Sequence, residues 1–239
     1  MPTVHKPHNG MESIKYIYKI GKGPSSSHTM GPRKAAKQFL DELPAHAKSC
    51  KVTLYGALAA TGKGHLTDRA ILEVLTPHMP TEILWAPETI LPFHTNGMNY
   101  AAFDANGNQI ANRTYYSIGG GDIVREGESR TKTESIYKLT KIKDIQRWCE
   151  KTGKSYWEYV DEIEGPEIWE YLTQVWQVMK AAVERGIEAE GVLPGGLGVR
   201  RKAVSYYVHA AGYAQSLKSR GLVYAYALAV SEENAAGGE

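Results

Sequence analysis

Apolar and polar residues first fall into a strand-like rhythm from Ile14 to Ile20, where IKYIYKI alternates and is rich in Ile and Tyr, the pattern of a half-buried β-strand. A turn rich in Gly, Pro and Ser, GKGPSSSHTMG, follows from Gly21 to Gly31. Pro32 suits the first turn of a helix, and Ala35, Ala36, Phe39, Leu40 and Leu43 recur at helical spacing to give that helix one apolar face. A second strand, loop and helix follow. Val52, Leu54 and Leu58 predict the strand, TGKGH turns the chain, and Thr67 with Asp68 caps a helix bearing Ala70, Ile71, Val74 and Leu75. Met98–Phe103 and Gln109–Ser117 read as paired strands, because Asn106-Gly107 between them is a strong hairpin signal. That hairpin ends in Gly119, Gly120 and Gly121.

Helical patterns dominate the remainder: Glu134–Thr152, Tyr156–Ile163 and Glu167–Arg185, the last with Ile168, Leu172, Val175 and Met179 on one face and Gly186 as its C′ residue. GVLPGGLGV, from Gly191 to Val199, is a glycine and proline linker that marks a domain boundary. Beyond it, helices are expected over Arg200–Arg220 and Leu222–Val230. The second of these reads LVYAYALAV and is apolar at every position, so it predicts burial on all sides. The sequence ends nine residues later with SEENAAGGE, and on this reading the fold is interrupted there; the alternative is a helix tucked back into the preceding domain.

Composition bounds the class. Apolar residues make up 42%, aromatic 10% and charged 23% of 239 residues, an ordinary globular balance far from that of disordered chains. The 28 basic and 26 acidic residues are spread through the chain and leave a formal net charge of +2, which gives no electrostatic footprint for nucleic acid or a membrane surface. Arg200, Arg201 and Lys202 are the densest basic spot and read as a solvated helix start. Residues 1–10 form a loose polar tail without a signal-type apolar segment, and no window approaches the ~18 apolar residues of a membrane span. A cytoplasmic protein is expected. Cys50 and Cys149 form no CxxC pair, which suits a reducing compartment and buried packing roles.

Three loops gather hydrogen-bonding residues where strands end. In Gly23-Pro24-Ser25-Ser26-Ser27-His28-Thr29, four hydroxyls and an imidazole stand just before a helix start, more than capping requires, and that position favours a carboxylate or phosphate. In Thr61-Gly62-Lys63-Gly64-His65-Leu66-Thr67-Asp68, two glycines permit close approach to backbone, while Lys63 supplies a charge and His65 a group that titrates near neutral pH. The GxxxxGK[ST] spacing of a nucleotide loop is absent. His65 reads equally well as an ordinary turn histidine. The third group joins His94-Thr95-Asn96-Gly97-Met98 to Tyr115-Tyr116-Ser117-Ile118-Gly119-Gly120-Gly121; Asn96 can orient an amine, amide or hydroxyl, and both segments equally fit plain hairpin ends.

GKGPSSSHTMGP, LYGALAATGKGHLTD, HTNGM, TYYSIGGG, EGVLPGGLGVRRKA and ALAVSEENAAGG stand in the order in which similar motifs occur in bacterial iron–sulfur L-serine dehydratases, and the chain resembles that family over roughly residues 11–238. The resemblance implies an α+β fold: a mixed α/β sandwich over residues 11–165, similar to the allosteric substrate-binding domain of some phosphoglycerate dehydrogenases, and an incomplete helical alpha-type start over 166–239. It implies the conversion of L-serine to pyruvate and ammonia, dependent on a [4Fe–4S] cluster. The family continues past the glycine pair into a cysteine-bearing loop where this sequence stops at Glu239. Cys50 and Cys149 lie outside the ligand motifs, and four cysteines are the usual cluster complement, so no metal ligand is expected in this chain.

By the same resemblance His65 is the first candidate for the base or for a residue that positions it, with His28 second. Ser25, Ser26, Ser27, Thr29, Lys63 and Asn96 are candidates for holding the substrate carboxylate and amino group. The implied partners are L-serine and either a homo-oligomer, such as a dimer, or a separate alpha chain. Two further readings stay open: a serine-sensing module without catalysis, and a non-functional truncation.

Overall fold

The structure, a computed structural model, describes residues 10–129, 134–194, 197–212 and 215–238. Residues 1–9 of the expected tail, Gly195 and Gly196 of the linker, and residues 213–214 of the expected 200–220 helix lie outside the described residues. Thirteen regular elements follow in chain order: α1 (Gly31–Asp41), β1 (Ser49–Tyr55), α2 (Gly56–Thr61), α3 (Thr67–Leu75), β2 (Thr81–Ala86), β3 (Gly97–Phe103), β4 (Gln109–Gly119), β5 (Asp122–Arg125), α4 (Ile142–Thr152), α5 (Tyr156–Glu164), α6 (Glu167–Gly186), α7 (Ala203–Ala211) and α8 (Gln215–Ala235). The fold class is α+β. Contacts divide the chain into two units, one from residues 21–130 and 179–239, the other from 1–20 and 131–178.

In the first unit the strands form one sheet in the order β2-β1-β3-β4-β5. Only β1 and β2 run parallel; every other pair is antiparallel. Cys50, Val52 and Leu54 alternate with exposed Lys51 and half-buried Thr53 along β1, so one face of that strand is covered. The core joins these residues to Ala35, Ala36 and Phe39 of α1, Ile71 and Leu75 of α3, and Met98, Tyr100 and Tyr115 of the sheet. The predicted helix after Pro32 and the hairpin at Asn106-Gly107 are both present, Gly107 taking a φ of 80°. Leu58, read as strand, instead lies in α2, a short helix that starts directly where β1 ends. β2 and β5 carry no clear periodicity and were not expected.

The α7–α8 pair belongs to the same unit. Ala225 and Ala229 are fully buried, whereas Val223 is 66% and Tyr224 64% exposed, which overturns the expectation of all-round burial for LVYAYALAV. Ala225 and Ala229 form the buried side of α8, Leu222, Leu228 and Val230 are half-buried, and Val223 and Tyr224 face outward. Gly186 is not a left-handed C′ residue: a Cβ there would lie 2.5 Å from the Ala229 carbonyl oxygen, so close helix contact accounts for the glycine.

The second unit holds α4, α5, the start of α6 and residues 10–20. The strand expected at 14–20 is a 3-10 turn over Ile14–Tyr16. Glu164 accepts from Ser13 Oγ at 2.7 Å, from Ile14 N at 2.8 Å and from Tyr137 Oη at 2.7 Å, and Ser13 Oγ accepts from Lys15 N at 3.1 Å. Those side chains occupy the N–H groups a strand would offer its neighbour. Helix over Glu134–Thr152 is confined to α4, because Tyr137 exchanges backbone bonds with Met11 at 2.9 and 3.0 Å.

Candidate functional site

The serine-rich loop enters α1 through a wide helical turn over Ser26–Met30. Ser25 caps it, its Oγ accepting from His28 N at 3.1 Å while its own N–H donates to Thr29 Oγ1 at 3.3 Å. Thr29, 3% exposed, donates through Oγ1 to the His65 carbonyl at 3.0 Å. This bond ties the first loop to the second. The imidazoles of His28 and His65 lie 4.7 Å apart between ring centroids, tilted by 36°.

Main-chain acceptors orient both rings. The Thr61 carbonyl lies 3.0 Å from His65 Nδ1; a carbonyl can only accept, so Nδ1 carries the proton in the neutral tautomer and Nε2 is then the acceptor. The Ala57 carbonyl lies 3.4 Å from His28 Nε2, which leaves His28 Nδ1 to accept from Ser27 Oγ at 3.0 Å. Ser25 Oγ and Ser27 Oγ are 3.4 Å apart. The donors therefore run one way, Ser25 to Ser27 to His28 to Ala57. Ser26 is exposed and its hydroxyl makes none of these contacts.

The third loop reaches the same place through α2. The Thr95 carbonyl and Oγ1 both accept from Ala57 N, at 3.2 and 3.3 Å, and Gly56, with φ 48°, passes so close to Thr95 that a Cβ would lie 2.5 Å from its carbonyl oxygen. Asn96 is 9% exposed; its Nδ2 donates to the Ser117 carbonyl at 3.4 Å. Its Oδ1 and the Ser117 hydroxyl are buried without a hydrogen-bond partner. Lys63 sits 5.5 Å over the Trp85 ring, a cation–π contact. Thr67 does not cap α3: Leu66 occupies the cap at φ 57°, and Thr67 Oγ1 is buried and unpaired. The contributions of Ala57 and Thr61 are carbonyl oxygens, which leave no side-chain signature in a sequence.

Burial, and secondarily the neighbouring His65, hold the His28 pKa below the ordinary histidine value, partly opposed by the bond to Ala57. Beside Thr29 lies a cavity of about 120 Å³ lined by Lys22, Arg33, Leu66, Glu73 and Gly237. Glu73 pairs with Lys22 at 3.1 Å, Arg33 at 2.8 Å and Arg69 at 3.6 Å. Three cations on one carboxylate leave this rim positive, as suits an anionic ligand.

The two cysteines do not fit an iron–sulfur cluster. Cys50 is 1% exposed inside the sheet core and burial pushes its thiol up to about 12, while Cys149 lies on α4 of the other unit. Among the described residues no three His, Cys, Asp or Glu side chains gather as a metal site. Among them, too, no helix is long and apolar enough to cross a membrane.

The class is thus an α+β domain with a five-stranded mixed sheet, whose polar loops meet at an imidazole pair. The family model for the serine dehydratase beta chain matches residues 13–84 and 74–128. Similar proteins include the L-serine dehydratase of Streptomyces coelicolor, 36% identical over 95% of this chain and 61% of its own length, and L-serine dehydratase 2 of Escherichia coli, 36% identical with the same coverage. The L-serine dehydratase of Haemophilus influenzae is 35% identical over 95% of this chain and 62% of its own length. The chain carries a serine dehydratase beta-chain region over residues 13–128. It spans about 61% of the length of these curated relatives.

Proposed function

We propose that the three loops receive L-serine and that the chain takes part in its dehydration to pyruvate and ammonia. The observation carrying this reading is the facing pair His28 and His65, coupled through Thr29, at the mouth of a serine-rich helix start. The substrate carboxylate would be taken by the Ser26 hydroxyl and the amides at that helix start, since Ser25, Ser27 and Thr29 spend their hydroxyl protons within the loop and keep its shape. His65 is the base: Nδ1–H is held by Thr61, so Nε2 can accept the α-proton of serine. His28, kept neutral, positions that ring without a competing charge. Asn96 and Lys63 hold the amino and carboxylate ends only after leaving Ser117 and Trp85.

In the reaction the α-proton and the β-hydroxyl leave serine together as water; the aminoacrylate becomes an imine, which takes up water and releases ammonia as pyruvate forms. The iron–sulfur dependence implied by the family resemblance belongs to this proposal, and the cluster's ligands are not among this chain's cysteines. On this reading the chain alone binds serine without turning it over. Turnover draws on an alpha-type region, in the full-length product or in a separate alpha chain, with self-association as scaffold and the cytoplasm as setting. We further propose residues 11–165 as the beta-type domain and 166–239 as the opening of an alpha-type domain. A purely serine-sensing role is the second reading, supported by the cationic rim of Lys22, Arg33 and Arg69, which suits binding of a carboxylate without chemistry.

Calorimetric titration of the chain with L-serine tests binding. An affinity that falls about tenfold in Ser26→Ala supports the site; no heat with L-serine overturns it. Anaerobic coexpression with a cluster-bearing alpha chain then separates the readings: serine-dependent pyruvate supports the enzyme, and binding without pyruvate supports the sensor.

A further inference from the structure

The motifs GVRRKA and SEENAAGG lie outside the three loops, yet they meet each other. Glu233 is 8% exposed and accepts from Arg185 Nε and Arg201 Nη1, each at 3.0 Å. Glu232, 5% exposed, accepts from the backbone of Lys202 at 2.6 Å and Ala203 at 3.2 Å, which caps the start of α7. A carboxylate at a helix start is favoured by the free N–H groups and the dipole there. A buried carboxylate between two guanidinium groups is stabilised in place, and its loss would leave a buried cation uncompensated.

The backbone then runs from this clamp to the serine-rich loop. The Glu233 carbonyl accepts from Gly238 N at 2.9 Å, and the Gly238 carbonyl accepts from Gly23 N at 3.0 Å. The Asn234 carbonyl accepts from Gly237 N at 3.1 Å, closing the turn. Gly23 is pressed against this turn so closely that a Cβ would lie 2.2 Å from the Asn234 carbonyl oxygen. Two residues after Gly23 stands Ser25, the cap of the turn that carries His28.

We infer that Glu233 is a positioning residue: clamped by Arg185 and Arg201, it fixes the Asn234–Gly238 turn against Gly23 and so holds Ser25–Thr29 in the geometry that receives the ligand. Only the identity of that ligand rests on the function proposed above.

The test is amide hydrogen exchange on the full chain, with L-serine titration alongside. In Glu233→Gln, exchange at residues 23–29 is expected to rise roughly tenfold, the effect of losing one charged hydrogen bond on a local opening, while Val52 and Leu54 keep their protection. Glu232→Gln is expected to loosen α7 and leave residues 23–29 at wild-type protection. Gly23→Ala, which wedges the contact from the other side, is expected to reproduce the loosening of 23–29. Should Glu233→Gln not fold, Arg201→Lys gives the same reading, with an intermediate rise. Unchanged exchange at 23–29 in the folded Glu233 or Arg201 variant overturns the inference, as does equal loosening in Glu232→Gln. If the loosening occurs but the wild type shows no heat with serine, the latch stands and the serine reading falls. If serine binds and residues 23–29 do not loosen, the latch alone falls.

Discussion

His28 and His65 face each other at 4.7 Å between ring centroids, each ring oriented by a carbonyl of α2. Two imidazoles this close cannot both be protonated cheaply, and the more buried one yields. The pair therefore favours a neutral His28 ring beside His65.

Nitrogen-detected NMR titration is expected to find His28 protonating below the ordinary histidine range, because burial and the His65 charge both disfavour its cation. In His65→Gln the His28 pKa should rise only part of the way, since burial is the larger cause. The sign for stability follows: the unfolded chain takes up this proton first, so His28's contribution is complete above about pH 6.5 and diminishes as pH falls toward the lower folded-state value.

Ser26→Ala and Ser27→Ala should differ. Ser26 offers a hydroxyl outside the loop's own network, so its loss is expected to weaken L-serine binding about tenfold, one hydrogen bond to a charged group, without moving the unfolding midpoint. Ser27→Ala removes the partner of His28 Nδ1 and should change the His28 titration as well. Calorimetry and NMR on the two variants check both outcomes.

Gly186→Ala places a methyl group 2.5 Å from the Ala229 carbonyl oxygen and 2.7 Å from its Cβ. Two packed helices would have to separate, so a loss of about 1–3 kcal/mol is expected in denaturant unfolding. Gly107→Ala, at an exposed turn with open space but a φ of 80°, should cost about 1 kcal/mol from backbone strain alone.

Cys50 should remain unmodified by a thiol reagent at about pH 8 until the sheet unfolds, because its thiol is buried and pushed up to about 12. Mass spectrometry of the native and the denaturant-unfolded protein distinguishes this from a reactive, ligand-type cysteine.

Where the sequence spoke clearly, a local rule and the tertiary environment agreed. Ala35, Ala36 and Phe39 lie under the sheet as their spacing predicts, and Asn106-Gly107 makes the β3–β4 turn. Where it misled, distant partners took over. Ile14–Tyr16 alternates like a strand, yet Glu164, far along the chain, captures the backbone that a sheet would need. The apolar run in α8 has one side buried at Ala225 and Ala229 and another open at Val223 and Tyr224, a division that uniform hydrophobicity does not register. At the site, the motifs named the imidazoles and hydroxyls. The carbonyls of Ala57 and Thr61 that set their tautomers, and the use already made of Asn96 and Lys63, depended on the folded backbone.

The parallel pairing of β1 with β2 sets the order in which these parts can assemble. Hairpins between β3, β4 and β5 close over short spans, whereas β1 meets β2 only after the intervening α2–α3 crossover has docked, and such non-local pairing forms late. His65 rides on that crossover. In refolding from denaturant the antiparallel ribbon is therefore expected to form before the two imidazoles meet, an order that pulse-labelled hydrogen exchange checks.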